Sequence, residues 1–340
     1  MHFPLTDAQQ KQQIDAEQTY TAWQDAAARA REYAGGMHWK AIAGKEYLYK
    51  TLDRKGNAKS LGVLSDATEA IARQFNEHKA LAKARLASLT DALATQSKIN
   101  AALRLGSAPN IVAGLCNRLS DAGLLGSNLM VIGTHSLLAY ESMAGVRFNR
   151  DIMATSDMDL LWDHKVPVRL AASDEIGAPH LLQLLQKVDK SFQVVKKQNF
   201  RAANDKGFMV DLIRQMPDPP RCNEPDRFFA EGDQVATDIW NMKWLLNAPR
   251  VQQIAIAVNG EMFPICAPDP RAYAMFKLWL AQSDERDPVK KPRDLAQAVA
   301  LAALITEKLP HLAKNWHQMR SFPAGIAIDA MAKLMPKKRR

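Results

Sequence analysis

Residues 128–162 read NLMVIGTHSLLAYESMAGVRFNRDIMATSDMDLLW, and the fold turns on this stretch. An apolar run, Leu129–Ile132, meets Gly133-Thr134 and passes into a helical pattern. After a linker, a second apolar run opens with Asp157-Met158-Asp159. Alternate residues of a strand share a face, so the two carboxylates point the same way, about 6.6–6.8 Å apart along the strand, and Met158 points into the layer behind. Two charges at the inner end of a buried strand are costly. A hard, oxygen-preferring cation would offset that cost. The alternative is a strand-end turn in which Asp157 caps and Asp159 is exposed. Gly133 lets the backbone approach a phosphate, and the helix after it offers free N–H groups and a positive dipole end. Thr134 and Ser136 add hydroxyls. Glycine is also ordinary at any strand–helix junction.

A third acid decides between these readings. Asp211 lies inside Phe208-Met209-Val210-Asp211-Leu212-Ile213, a buried strand by its apolar neighbours, where an ionised carboxylate needs a cation or strong hydrogen bonds. Phe200–Ala203, a turn at Asn204-Asp205-Lys206-Gly207 and the Asp211 run read as a hairpin, which places Asp211 on a neighbour of the Asp157 strand.

Working outward, residues 7–34 read as a helix with Asp7 as N-cap and Gly35-Gly36 as its stop. Residues 38–63 read as three short strands carrying Lys40, Lys45, Lys50, Arg54, Lys55 and Lys59 beside Trp39, Tyr47 and Tyr49, with a turn over Asp53–Asn57. Such interleaving can follow a phosphate backbone and stack bases; it also suits a solvated hairpin whose aromatics pack on neighbouring helices. Residues 66–104 form a long helix ended by Ser107-Ala108-Pro109, suited to packing on the first helix or to a dimer contact. Asn110–Ala122 forms a shorter one. Downstream come a proline-rich break at Pro217–Pro225 and a hairpin, Gln253–Val258 and Glu261–Ile265. Its Asn259-Gly260 signals a type I′ turn that finishes the sheet. Helices follow at Pro270–Leu280 and Arg293–Lys308. His135, beside the glycine turn, is either a phosphate or base contact or a packed side chain.

The expected organisation is an α+β protein in four parts. Residues 1–105 hold helices and the small basic sheet, 106–268 the mixed sheet with flanking helices, 269–335 a helical region and 336–340 a basic tail. At 340 residues, 47% hydrophobic and 24% charged, the composition is that of a soluble globular chain of about two domains. No transmembrane run or secretory signal is evident. Cys116, Cys222 and Cys266 are too scattered for a disulfide framework or zinc site, and a reducing cytoplasm is the expected location. The net charge of +9, part of it in Lys337–Arg340, favours polyanionic partners.

The glycine turn, the Asp-x-Asp pair and the third Asp on the next strand resemble the nucleotidyltransferase fold of the DNA polymerase beta-like superfamily. Arg147 or Arg150, with Thr155 before the acid pair, resembles the Arg-x-Thr-x-Asp-x-Asp run of its AbiEii-like branch. The chain is also similar to a bacterial branch with an added N-terminal region. The likeness covers about residues 110–300. Two departures stand out: Gly-Thr replaces Gly-Ser or Gly-Gly, and a long linker of 22 residues separates Thr134 from Asp157. An extended helix and a Met143–Met153 loop are expected to absorb it.

The resemblance implies that Asp157, Asp159 and Asp211 hold two Mg²⁺ ions, with Mn²⁺ as an alternative. Gly133, Thr134, Ser136, Arg147 and Lys277 then contact the phosphates of an NTP such as ATP. It further implies transfer of a nucleoside monophosphate to an acceptor, an RNA such as tRNA or a protein hydroxyl, in a housekeeping or toxin–antitoxin setting. The run Lys277, Arg286, Lys290 and Arg293-Asp294 resembles the nucleotide-facing helices of that branch, with Asp294 orienting Lys277 or Arg286; it also suits a solvated charged loop. A reading of another class is a non-catalytic nucleic-acid-binding or interaction protein on the same fold.

Overall fold

The computed structural model describes residues 2–52, 56–166, 180–217, 233–316 and 319–335. Most of the Pro217–Pro225 break, Asp53–Lys55 of the turn cluster, Cys222 and the basic tail lie outside the described residues.

β1 (His2–Pro4) leads into α1 (Asp7–Glu32). The N-cap of α1 is Thr6, not Asp7: its hydroxyl accepts from the Gln9 amide while the Gln9 side chain accepts from the Thr6 N–H, leaving Asp7 in the first turn beside the helix dipole. The helix ends at Glu32, three residues before Gly35, which takes a left-handed φ of 80°. β2 (Met37–Ile42), β3 (Lys45–Thr51) and β4 (Ala58–Val63) form an antiparallel three-stranded sheet, in the segments expected. α2 (Asp66–Ala102) starts from a second capping box, Ser65 with Thr68. It ends earlier than the proline break suggests, at a left-handed Arg104. Its partner is α1, through Gln12 Nε2 to Asn100 Oδ1 at 2.9 Å and Trp23 Nε1 to Thr90 Oγ1 at 3.2 Å.

α3 (Asn110–Asp121) precedes β5 (Leu129–Ile132). A single 3-10 turn, Thr134–Ser136, then opens α4 (Leu137–Ala144), β6 (Val146–Phe148), α5 (Arg150–Met153) and β7 (Asp157–Trp162). The long linker is therefore not one extended helix and a loop. It folds as a short helix stopped at left-handed Gly145, a strand that pairs antiparallel with β1, and a helical turn. After α6 (Leu181–Gln186), β8 (Gln193–Val195), β9 (Gln198–Ala203), β10 (Met209–Gln215) and β11 (Thr237–Ile239), the main sheet is complete in the order β5-β7-β10-β9-β8, with β11 beside β10. β7 and β10 are parallel, and their register pairs Asp159 with Asp211. The 198–213 hairpin is present as read.

α7 (Lys243–Leu246) leads to β12 (Arg250–Ile256) and β13 (Met262–Pro268). These do not finish the main sheet but form a two-stranded one of their own. Their connection is not type I′, since neither Val258 nor Asn259 has a positive φ. The Gly260 N–H donates to Ala257 O at 2.8 Å and Gly260 alone is left-handed, the pattern of a three-residue loop. α8 (Pro270–Gln282), α9 (Lys291–Lys308), α10 (Pro310–Ala313) and α11 (Ala324–Leu334) complete the chain.

Val131, Met158, Leu160, Val210 and Leu212 are wholly buried on the inner faces of β5, β7 and β10. Each contributes about 1.5–3 kcal/mol of apolar burial. That burial fixes the register, and the register sets where the three aspartates stand.

Candidate active site

The acids and the helices after β13 face each other across a cleft of about 380 Å³. Strand alternation presents Asp157 and Asp159 on the face opposite Met158, and the parallel pairing sets Asp211 beside Asp159. Adjacent strands are about 4.7–4.9 Å apart, so the carboxylates are close enough to repel one another. Burial, and then the charges of Asp157 and Asp211, raise the Asp159 pKa to about 6, against the opposing pull of Lys277 and Lys290.

Gly133 serves this acid directly. Its φ of 68° is left-handed, and a Cβ there would lie 2.0 Å from Asp159 Oδ2. The glycine is required both by its backbone angle and by the room Asp159 needs. Its carbonyl is held by the Tyr273 hydroxyl at 2.7 Å and the Ser136 hydroxyl at 2.8 Å. Ser136 is buried, turned to that carbonyl and outside the cleft lining. Thr134 lines the cleft and accepts from Arg293 Nη2 at 2.6 Å and Gln297 Nε2 at 3.2 Å, which ties the turn to α9.

Asp157 receives the Thr155 hydroxyl. Asp211 is ion-paired with the cross-strand Arg201, whose Nε and Nη2 reach its two oxygens at 2.7 and 2.6 Å. The buried carboxylate thus has its cation, but from the protein, and the 198–211 hairpin supplies it. Among the described residues no three acids, histidines or cysteines form a ready-made metal cage. The donor set nevertheless fits a hard divalent cation: carboxylate oxygens only, one with its charge resisted by its neighbours. Asp157 and Asp159 would hold it, joined by Asp211 on release from Arg201.

The opposite wall comes from α8 and α9. Asp294 binds Lys277 Nζ at 2.7 Å through one oxygen and Arg286 Nε at 2.7 Å through the other. Burial works to raise the Asp294 pKa, but the Lys277 and Arg286 charges outweigh it and the net shift is downward. Burial lowers that of Lys277, with Asp294 opposing. Lys290 lines the cleft, exposed, with no side-chain hydrogen bond or ion pair among the described residues.

Arg147 is a correction. It lies outside the cleft lining, 3.5 Å from Glu141 Oε2, where it partly neutralises a carboxylate that burial pushes upward. The pairing of β6 with β1 turns it there. His135 also lies outside the lining: it is buried, its ring 6.1 Å from that of Phe208, and burial lowers its pKa to about 4. Sequence reasoning did not assign Arg201, Tyr273 or Gln297 to the site. A signal for Arg201 was available in the hairpin register, which sets it opposite Asp211; Tyr273 and Gln297 act over sequence separations that no local pattern carries.

Fold and cleft define an α+β protein with an acidic sheet face opposite a cationic helical wall. The chain belongs to the nucleotidyltransferase family, whose model, described as Nucleotidyltransferase, matches residues 110–321. No curated protein and no solved structure matches it. Among the described residues no helix is long and apolar enough to cross a membrane.

Proposed function

We propose that the chain is a Mg²⁺-dependent nucleotidyltransferase that moves a nucleoside monophosphate from an NTP to a hydroxyl of an RNA or protein acceptor. The observation that carries this reading is the parallel register of β7 and β10, which gathers Asp157, Asp159 and Asp211 opposite Lys277 in one cleft of a family member. Bound between the carboxylates, Mg²⁺ would supply charge neutralisation at the attacking and leaving oxygens. Lys277, held by Asp294, and the freer Lys290 and Arg293 orient the triphosphate. The acceptor oxygen forms a bond to the α-phosphorus as the α–β phosphoanhydride bond breaks, and pyrophosphate leaves. Asp211, on release from Arg201, takes the hydroxyl proton at a carboxylate oxygen.

The test is incubation with each labelled NTP, Mg²⁺ and total tRNA or protein. The expected result is label transfer that falls by at least about 10²-fold in an Asp157→Asn, Asp159→Asn variant. Equal labelling by the variant, or none by the wild type with any NTP and either acceptor, contradicts the proposal.

A further inference from the structure

The small sheet at the far end of the α1–α2 hairpin lies outside the matched family region and has no part in the cleft. Residues 29–85 hold twelve Lys and Arg against six Asp and Glu, so this segment carries six of the nine net positive charges. The hairpin is long: α2 has 37 residues, about 55 Å at 1.5 Å per residue. Its foot is fixed to the body, where Asn100 Nδ2 donates to Gly260 O at 3.0 Å, and its two helices are joined there by Gln9 Nε2 to Leu103 O at 3.0 Å. The charge therefore sits at the end of a lever.

The two faces of the sheet differ. One is turned to the helices: Leu48 is wholly buried, Trp39 is its cross-strand partner, and Lys50 Nζ lies 5.6 Å over the Phe75 ring of α2. The other carries the alternate residues. Lys40 pairs with Tyr47 and His38 with Tyr49, whose rings stack at 6.0 Å and 20°. Lys45 lies at the end of the same face. His38, Lys40 and Lys45 are exposed and both tyrosines are half-exposed. Among the described residues this face carries no acid, since Glu46 falls on the helix side with Ala41. Packing on the neighbouring helices accounts for Trp39 but not for Tyr47 or Tyr49.

We infer that this outer face binds a single-stranded stretch of nucleic acid. Tyr47 and the His38–Tyr49 pair offer ring faces to two successive bases, and Lys40 and Lys45 meet the phosphates beside them. Charge and flat aromatics on one acid-free face favour this occupant: phosphates answer the lysines and bases the rings. The binding is independent of whether the cleft performs transfer.

The test is fluorescence anisotropy of dye-labelled oligouridine and oligothymidine with the full chain at low and moderate salt. The expected result is salt-sensitive binding of at least one strand. It weakens about tenfold in Tyr47→Ala and at least as much in Lys40→Glu, Lys45→Glu, with circular dichroism unchanged. An Asp157→Asn variant binds as the wild type does, which separates this face from the cleft. Absence of binding at low salt overturns the inference. So does equal binding by the folded sheet variants, or a fully paired duplex binding as tightly and ignoring Tyr47→Ala.

Discussion

The two walls of the cleft treat buried charge in opposite ways. On the helical wall Asp294 has a cation on each oxygen, Lys277 and Arg286, both at 2.7 Å. On the sheet wall Asp157 and Asp159 stand side by side, and Asp159 has its pKa raised to about 6 by burial and by the neighbouring acids. Among the described residues only Asp211 is ion-paired there, with Arg201. The difference teaches what each wall is for. A satisfied carboxylate holds cations in fixed positions, so that they can face an anion. Asp159, crowded by burial and by its acidic neighbours, is costly to ionise, and the strand register holds it there; on the proposed reading a bound cation would offset that cost.

The comparison breaks most visibly at Asp294. Replacing it by alanine leaves Lys277 and Arg286 without their counter-charge, one of them buried. The expected loss is about 3–5 kcal/mol of folding free energy, read by urea unfolding. An unchanged midpoint would mean that the helical wall is not held by this carboxylate.

The same experiment on the sheet wall has the opposite sign. Asp159→Asn removes a charge that its neighbours resist, and is expected to stabilise the metal-free protein by about 1–2 kcal/mol near neutral pH. The pH dependence sharpens this. Folded Asp159 keeps its proton to about 6, whereas its ordinary value is 3.8. Between those values the folded state binds more protons than the unfolded one, so wild-type stability falls as pH rises through that window. Urea unfolding at stepped pH is expected to show that fall in the wild type and a flatter curve in the variant.

Much of this wall was legible in the sequence. The acid-bearing strands appear over the expected residues because apolar alternation around Asp157, Asp159 and Asp211 leaves few other arrangements. The small sheet and helices α8 and α9 were equally readable from turns and period, whereas α7, α10 and α11 were not read. What escaped was set by partners distant in sequence. A three-residue strand at His2–Pro4 captures β6, and so draws Arg147 to Glu141 and away from the cleft. The β12–β13 hairpin carries no local mark of which sheet it joins. Gly133 was legible as a turn, but the space it leaves for Asp159 exists only once β5 and β7 are paired. Arg201 is the exception: no motif marks it, but the register of the hairpin sets it directly opposite Asp211.

The most direct test of the contrast between the walls is a Mn²⁺ titration followed by electron paramagnetic resonance, with Mn²⁺ standing in for Mg²⁺. The account predicts saturable binding near neutral pH that is lost in Asp157→Asn, Asp159→Asn. One pH unit below the Asp159 pKa of about 6, it weakens by about tenfold as protons compete for the carboxylate. Binding of equal strength in the wild type and the double variant would contradict it.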